Sequence, residues 1–455
     1  MSAIRDYVRG LGLDAYAVGG SVRDELLGRE APDQDFLVPR VGQAELRALL
    51  EPHGRVEEME VGGRLVGVRL YPRDPEARKL APKGIELAPP RAERSTGPGR
   101  HDFEIVADPS ITVEDDLGRR DFTVNAIARR LEDGTLVDPY GGETDLRARM
   151  LRTVSATSFR EDPLRLVRGL RFVSQLGLEP DERTLAQLHE EAAGVRFVSA
   201  ERIGGGLAAD GLGELSKLLL GTGPARALTL MRDTGVLVEV LPEFGPALGF
   251  VLGYDRQPLP LDEHIFTVVQ NAADLELSLA VRLGALLHDL GKPLERADGR
   301  PHQELGADLA RGALNRLRYP ARLTSYVVRL VRGHAFHVDA DADGVWARRF
   351  LAEHGQPLAG ELLDHKEADL RAKRIGDWEL PALARLRVLV ETESASPYRL
   401  SDLAIDGADL IELGFAESPQ LGRVLAGLLD EVIENPALNT REALLERARE
   451  ELQRA

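Results

Sequence analysis

Gly19-Gly20-Ser21-Val22-Arg23-Asp24, then Leu27-Gly28, then Asp33-Gln34-Asp35-Phe36, is the stretch that decides the N-terminal fold. Before it, Ala15-Tyr16-Ala17-Val18 reads as a strand. Ser21 to Leu27 starts a helix, and Asp35-Phe36-Leu37-Val38 is a second strand. A glycine pair after a strand lets the backbone approach a triphosphate closely, and Ser21 with the helix start adds donors. Carboxylates at i and i+2 on a strand point to one face. Asp33 and Asp35, so placed, can hold one or two Mg²⁺ ions about 4 Å apart, the spacing of in-line phosphoryl transfer. The bland alternative is a glycine turn followed by an Asp-rich loop. The presence of Arg23, Asp24, Asp33 and Asp35 together argues against it.

Three more runs follow. In Arg119-Arg120-Asp121-Phe122-Thr123-Val124-Asn125-Ala126, paired Arg side chains can grip phosphate and Asp121 can accept from a ribose hydroxyl. The same run also reads as a helix N-terminus capped by Asp121. Asp138-Pro139-Tyr140-Gly141-Gly142, continuing to Asp145-Leu146, reads as a turn with a capping Asp and a purely architectural role. In Glu161-Asp162-Pro163-Leu164-Arg165, Pro163 suits a first helical turn. Asp162 accepts hydrogen bonds and Arg165 donates them one turn later, so the two can read the Watson–Crick edge of a base. The plainer reading is a capped helix with an i,i+3 ion pair.

The whole chain sets limits on these readings. Its 455 residues exceed one domain, and 43% hydrophobic with 29% charged residues is globular composition. There is no cysteine, so any metal must be held by His, Asp or Glu. No apolar run is long enough to span a membrane, and the N-terminus lacks a signal-like segment, so a cytoplasmic protein is expected. The net charge of −17 argues against a non-specific polyanion binder. Residues 119–171, however, carry eleven Arg against eight acids, and the last 65 residues carry fourteen acids against six Arg. A nucleic-acid surface is therefore expected in the N-terminal half. Ala44 to Leu50 reads as helix, Arg64 to Tyr71 as strand, and Pro72 to Gly99 as loops around one short strand, Gly84 to Ala88. From Asp162 onward the apolar spacing is helical almost throughout.

Taken in order, the four runs resemble the bacterial class II tRNA nucleotidyltransferases, the CCA-adding family and its poly(A) polymerase relatives. The resemblance spans residues 15–245 and includes Ser199-Ala200-Glu201-Arg202. It implies a polymerase-β-like head with Asp33 and Asp35 as catalytic metal ligands. Gly19, Gly20, Ser21, Arg23, Arg120, Asp121, Asn125 and Arg168 would serve the nucleotide. Asp162 and Arg165 would be the protein template for CTP and ATP. Glu86 is a weaker third-carboxylate candidate, its alternative being a surface strand residue. Pro90 to Asp108 looks like the family's flexible loop. The Gly204–Gly213 run departs from the family, which usually continues there as one helix.

A second constellation lies downstream: His264, His288-Asp289, His302, His334 and Asp369. His and Asp contributed by neighbouring helix ends can make a nitrogen/oxygen metal site. Leu286-Leu287-His288-Asp289-Leu290-Gly291-Lys292 resembles the HD phosphohydrolase signature. That resemblance implies His264, His288, Asp289 and Asp369 as core ligands, with His302 and His334 extending the site and His337 in reserve. Residues 404–439 also resemble the C-terminal extension of HD-bearing members.

The expected fold is α+β: a head over 1–150, then a helical neck over 151–242, an HD domain over 243–395 and a helical tail over 396–455. The expected reaction is template-independent addition of C, A or both to the tRNA 3′ end from CTP and ATP, using Mg²⁺ in the head. A divalent metal of unspecified identity, with phosphohydrolase activity, is expected in the HD domain. A poly(A) polymerase, and an HD phosphohydrolase with a nucleotide- or RNA-binding head, are the alternatives.

Overall fold

The strand and helix signals around the glycine pair come together in one mixed sheet. The computed structural model describes residues 3–30, 34–61, 64–95, 103–106, 109–205 and 211–454. Asp33 therefore lies outside the described residues, as do 96–102 and 107–108 of the expected loop and 206–210 of the glycine-rich run.

Tyr16–Val18 (β1) leads into the helix Gly20–Leu26, and Asp35–Leu37 (β2) pairs antiparallel with β1, Val18 opposite Asp35. Gly54–Val61 (β3) and Arg64–Pro72 (β4) form an antiparallel pair, and Ile85–Ala88 (β5) pairs with β4. β5 runs parallel to β2 and sets Glu86 in register with Asp35. Ala92–Ser95 (β6) and Phe103–Val106 (β7) pair only with each other among the described strands. Ala128–Arg130 (β8) and Leu136–Val137 (β9) complete the sheet, in the order β3-β4-β5-β2-β1-β8-β9. Val18 and Leu37 are buried against Val113 and Leu117 of the helix Val113–Gly118, which fixes one face of the central strands.

Among the elements left unread in the sequence are two whose composition misleads. β3 carries Glu57, Glu58 and Glu60, which hide its alternation. Pro75–Leu80 is a helix inside the segment expected to be loop. Asp74 accepts from the Ala77 amide at 2.8 Å, and Pro75 occupies the first turn. One cap and a helix-starting proline outweigh a loop-like composition.

The helix Leu164–Leu176 holds the second run in place by aromatic packing. Phe122 meets Phe172 edge-on at 5.8 Å and Phe159 at 6.2 Å. Gly169 permits this approach, since a Cβ there would stand 2.7 Å from the Phe122 ring. Gly177, at φ 64°, ends the helix in the left-handed conformation that glycine tolerates.

Residues 1–245 with 316–319 form one compact unit, and 246–315 with 320–455 form another. The expected head and neck fall in the first unit and the expected HD and tail segments in the second, except that 243–245 and 316–319 of the expected HD segment belong to the first. In the first, Gly204 and Gly205 lie against the backbone of Leu317 and Arg318, where a Cβ would come within 2.6 and 1.8 Å of carbonyl oxygens. Gly204 and Gly205 of this departure from the family thus serve a close backbone contact. The second unit is helical. Its tail buries Ile405, Leu410, Phe415, Leu428, Val432, Leu444 and Ala448 in a core of their own. No described helix is long and apolar enough to cross a membrane.

Candidate nucleotidyl-transfer and metal sites

Gly20, Ser21, Arg23, Asp24, Asp35, Arg119, Arg120, Asp121, Asn125, Asp162, Arg165, Arg168 and Arg171 line one cavity of about 620 Å³. Residues from three of the four sequence runs therefore meet at one place. Gly19 is required by its neighbour: φ is 68°, and an added Cβ would lie 2.5 Å from Arg120 Nη1. The Ser21 hydroxyl donates to the Val18 carbonyl at 3.1 Å. Arg23 Nη1 donates to Asn125 Oδ1 at 2.8 Å, and Asn125 Nδ2 donates to Asp121 Oδ1 at 2.9 Å. Arg168 Nε stands 2.9 Å from Asp121 Oδ2, an ion pair without hydrogen-bond alignment. Burial pushes the Asp121 carboxyl up, but Arg168 and the Asn125 amide outweigh it and hold it below the usual range. Asp121 does not cap a helix: it accepts from the Phe122 amide at 2.8 Å within a tight turn.

Asp116, a residue the sequence reading passed over, sets both arginines of the second run. It is fully buried, with Arg119 Nη2 at 2.8 Å and Arg120 Nη2 at 3.2 Å. Burial opposes its charge, yet Arg119 and Arg120 keep its carboxyl ionised, below the usual range. The signal was present, since Asp116 lies three and four residues before the arginines at the end of a capped helix. Arg171 contacts Glu214 at 3.0 Å, and burial lowers its pKa to about 10.

The Asp162–Arg165 pairing offered by the plainer reading does not form. Arg165 Nη2 donates to the Arg119 carbonyl at 2.7 Å, and Nη1 donates to Ser158 Oγ at 3.0 Å and Glu161 at 3.2 Å. Asp162 instead accepts from the Leu164 amide at 3.1 Å and from Arg202 Nη2 at 3.0 Å. Separate anchors hold the acceptor and the donor fixed in the cavity instead of satisfying each other. Asp138 behaves as the architectural reading expects, accepting from the Gly142 and Glu143 amides at 2.7 and 2.9 Å.

Asp35 is exposed at the start of β2, and Glu86 is its register partner. Glu86 is ion-paired with Arg69, both about one third exposed. Adjacent strands in parallel register put the two carboxylates on the same face.

In the second unit, five helices bring the histidines together. His264 lies on Leu261–Asp274, and His288 caps Leu279–Leu287. His302 opens His302–Arg316, His334 caps Ala321–Gly333, and Asp369 is on Leu358–Arg371. Two triads of candidate ligand atoms form: His264, His288 and Asp369, and Asp289, His302 and His334. His337 is exposed and in neither.

The hydrogen bonds assign the tautomers. His288 Nδ1 lies 2.8 Å from the Ala285 carbonyl, and His334 Nδ1 lies 2.6 Å from the Val331 carbonyl. A carbonyl only accepts, so both Nδ1 atoms carry the proton and Nε2 presents a lone pair. His288 Nε2 then faces Asp289 Oδ2 at 3.1 Å, and His334 Nε2 faces Asp289 Oδ1 at 3.5 Å. Lone pairs facing a buried carboxylate call for a cation between them. His264 Nε2, His288 Nε2 and Asp369 Oδ1 are buried without a hydrogen-bond partner, and Asp289 Oδ2 is met by the Lys292 ammonium. This donor set fits a divalent ion. Lys292 and Lys373 stand 2.6 Å from Asp289 and Asp369. Burial opposes their charge, but these two ammonium groups hold both carboxyls well below the usual range. Burial lowers the pKa of His264, His302 and His334, favouring the neutral, ligating form.

Three family models match the chain: a poly A polymerase head domain over residues 15–152, a probable RNA and SrmB-binding site of polymerase A over 177–248, and an HD domain over 261–374. The multifunctional CCA protein of Ralstonia nicotianae is 37% identical over 341 residues, covering 71% of this chain and 72% of that protein. Its counterpart from Cupriavidus necator is 32% identical over 406 residues, covering 84% and 92%. The crystal structure of the Bacillus stearothermophilus CCA-adding enzyme in complex with CTP aligns over 100% of both chains, at TM-score 0.72 and 25% identity. The Thermotoga maritima CCA-adding enzyme complexed with tRNA shares the fold at TM-score 0.59 and 19% identity, over 99% of this chain and 94% of that one. With such identity to full-length relatives, and with the polymerase-type head and the HD helices both in place, this chain belongs to the multifunctional CCA protein family of tRNA nucleotidyltransferases.

Proposed function

We infer that this chain adds C, C and A to the 3′ end of tRNA from CTP and ATP, releasing pyrophosphate, without a nucleic-acid template. One observation carries the reading: the cavity that holds Asp35 also holds Asp162 and Arg165 on separate anchors. A carboxylate for metal and a fixed acceptor and donor for a base edge thus serve one nucleotide. Asp121 is positioned for the ribose, and Arg120, Arg23 and the Gly20-Ser21 backbone for the triphosphate. Asp33 and Asp35 would hold Mg²⁺, and Glu86 would join them on leaving Arg69. The adjacent carboxylates of β2 and β5 fit such ions. When bound, the ions supply charge neutralisation at the phosphates and a more acidic 3′-hydroxyl. The chain's own contribution is to position: it fixes the base, the ribose and the triphosphate before the 3′-hydroxyl arrives. Action on tRNA puts the protein in the cytoplasm.

The test uses tRNA ending at the discriminator base, at C and at CC, with CTP and ATP supplied separately and together. CTP alone is expected to give the CC end, ATP alone to extend only the CC substrate, and both to stop at CCA. A long A tail would make the chain a poly(A) polymerase instead.

A second reading rests on the lone pairs at Asp289. We propose that the HD helices hold a divalent ion and hydrolyse a phosphoester. His264, His288, Asp289 and Asp369 would be the core ligands, with His302 and His334 extending the site. His288→Ala is expected to lower metal-dependent phosphate release from 2′,3′-cyclic nucleotides at least tenfold. Unchanged release would sink this reading and leave the first intact.

A further inference from the structure

We propose that His365 is a further metal ligand of the second unit, sharing one divalent ion with His288 and His334. The inference rests on the metal-binding reading above and adds a residue outside both triads.

His365 lies on the helix Leu358–Arg371, four residues before Asp369, so the two share a helix face. It is fully buried, and neither Nδ1 nor Nε2 has a hydrogen-bond partner. A buried imidazole left in that state is destabilising, because both ring nitrogens lose water and gain no partner. Its surroundings explain why it is there. Its ring centre is 5.0 Å from that of His288 and 5.7 Å from that of His334, and those two are 5.1 Å apart. Imidazoles bound to one ion through bonds of about 2.0–2.1 Å place their ring centres roughly 4.5–5.5 Å apart. The His288–His365 and His288–His334 spacings fall in that range, and the His334–His365 spacing of 5.7 Å lies just beyond it. His288 and His334 are already oriented for a common ion, each Nδ1 being committed to a carbonyl one turn back. A neutral imidazole keeps a lone pair for a metal, and neither nitrogen of this ring has another use among the described residues.

A structural role predicts something different. A histidine serving the core normally donates to a partner, and His365 has none among the described residues. Replacing it with an apolar side chain should then relieve the metal-free protein, because two unpaired polar atoms leave the interior. The same change should weaken the metal-loaded protein.

The experiment uses the full chain carrying Asp35→Ala, which weakens the head site, after treatment with a chelator. Co²⁺ is titrated by calorimetry and by visible absorption, and melting is followed with and without Co²⁺. His365→Leu is expected to lower Co²⁺ affinity at least tenfold and to alter the ligand-field bands. It should also melt at or above the parent in chelator and lose part of the Co²⁺-induced gain in Tm. His365→Asn provides a second variant should the leucine prevent folding. Parent-like affinity and bands in the variant overturn the proposal, as does an equal loss of Tm with and without Co²⁺. His288→Ala separates the two levels. If His288→Ala loses Co²⁺ and His365→Leu does not, this inference alone fails. If the parent binds no more Co²⁺ than His288→Ala, the metal-centre reading fails and takes this inference with it.

Discussion

Asp35→Asn is expected to lower incorporation of CMP and AMP into tRNA by about 10³-fold or more, with little change in melting temperature. Asp35 stands exposed at the first position of β2, while Phe36 and Leu37 behind it carry the buried contacts of the strand. An isosteric change on the exposed position leaves those contacts in place, and such substitutions usually move stability by less than about 0.5 kcal/mol. The effect on rate has a different origin. Asparagine keeps the shape and removes the charge that, in the proposed mechanism, would hold a divalent ion against the phosphates. Glu86 is in register beside Asp35 but ion-paired with Arg69, so it is poorly placed to compensate. Single-turnover incorporation, with circular dichroism and melting as controls, decides the matter. A wild-type rate would remove β2 from the mechanism.

The second large effect is expected at Asp162 and Arg165, the pair proposed to read the base. Asp162→Ala or Arg165→Ala should lower kcat/KM for CTP and ATP by about 10²-fold, since a hydrogen bond to a charged group is worth about 1.5–3 kcal/mol and 1.4 kcal/mol is tenfold. UTP and GTP should suffer less, so selectivity flattens as well as rate. Arg202→Ala should reproduce part of the Asp162 defect without touching the base, because it releases the carboxylate that Arg202 holds at 3.0 Å. Competition assays with all four nucleotides separate these outcomes. Undiminished preference for CTP and ATP in Asp162→Ala would show that selection resides elsewhere.

Much of the lining of both candidate sites was legible in the sequence. The glycine pair, the Glu161-Asp162-Pro163 turn and His288-Asp289 each depend on neighbours a few residues away, and that spacing survives in a bare sequence. So do the helical periods after Asp162. Asp33, the other half of the Asp-x-Asp reading, lies outside the described residues. What failed were elements whose composition misleads: β3, with three glutamates on a strand, and Pro75–Leu80, a helix set by one Asp cap.

Only the tertiary structure decided which partners these residues take. Arg23 bonds Asn125 across 102 residues of chain, and Arg165 reaches the Arg119 carbonyl across 46. Asp162 pairs with Arg202, 40 residues on, instead of with Arg165 one turn away. Local spacing permitted the Asp162–Arg165 pair, but folding brought Arg202 to Asp162 and the Arg119 carbonyl to Arg165. His365 stayed unread for the same reason: nothing near it in the sequence marks it, and its meaning comes from two rings on other helices. The sequence by itself determined which chemical groups are present and in what local geometry. Which of them meet depends on helices and strands closing around a shared core, because buried charges and lone pairs are satisfied by whatever folding brings within about 3 Å.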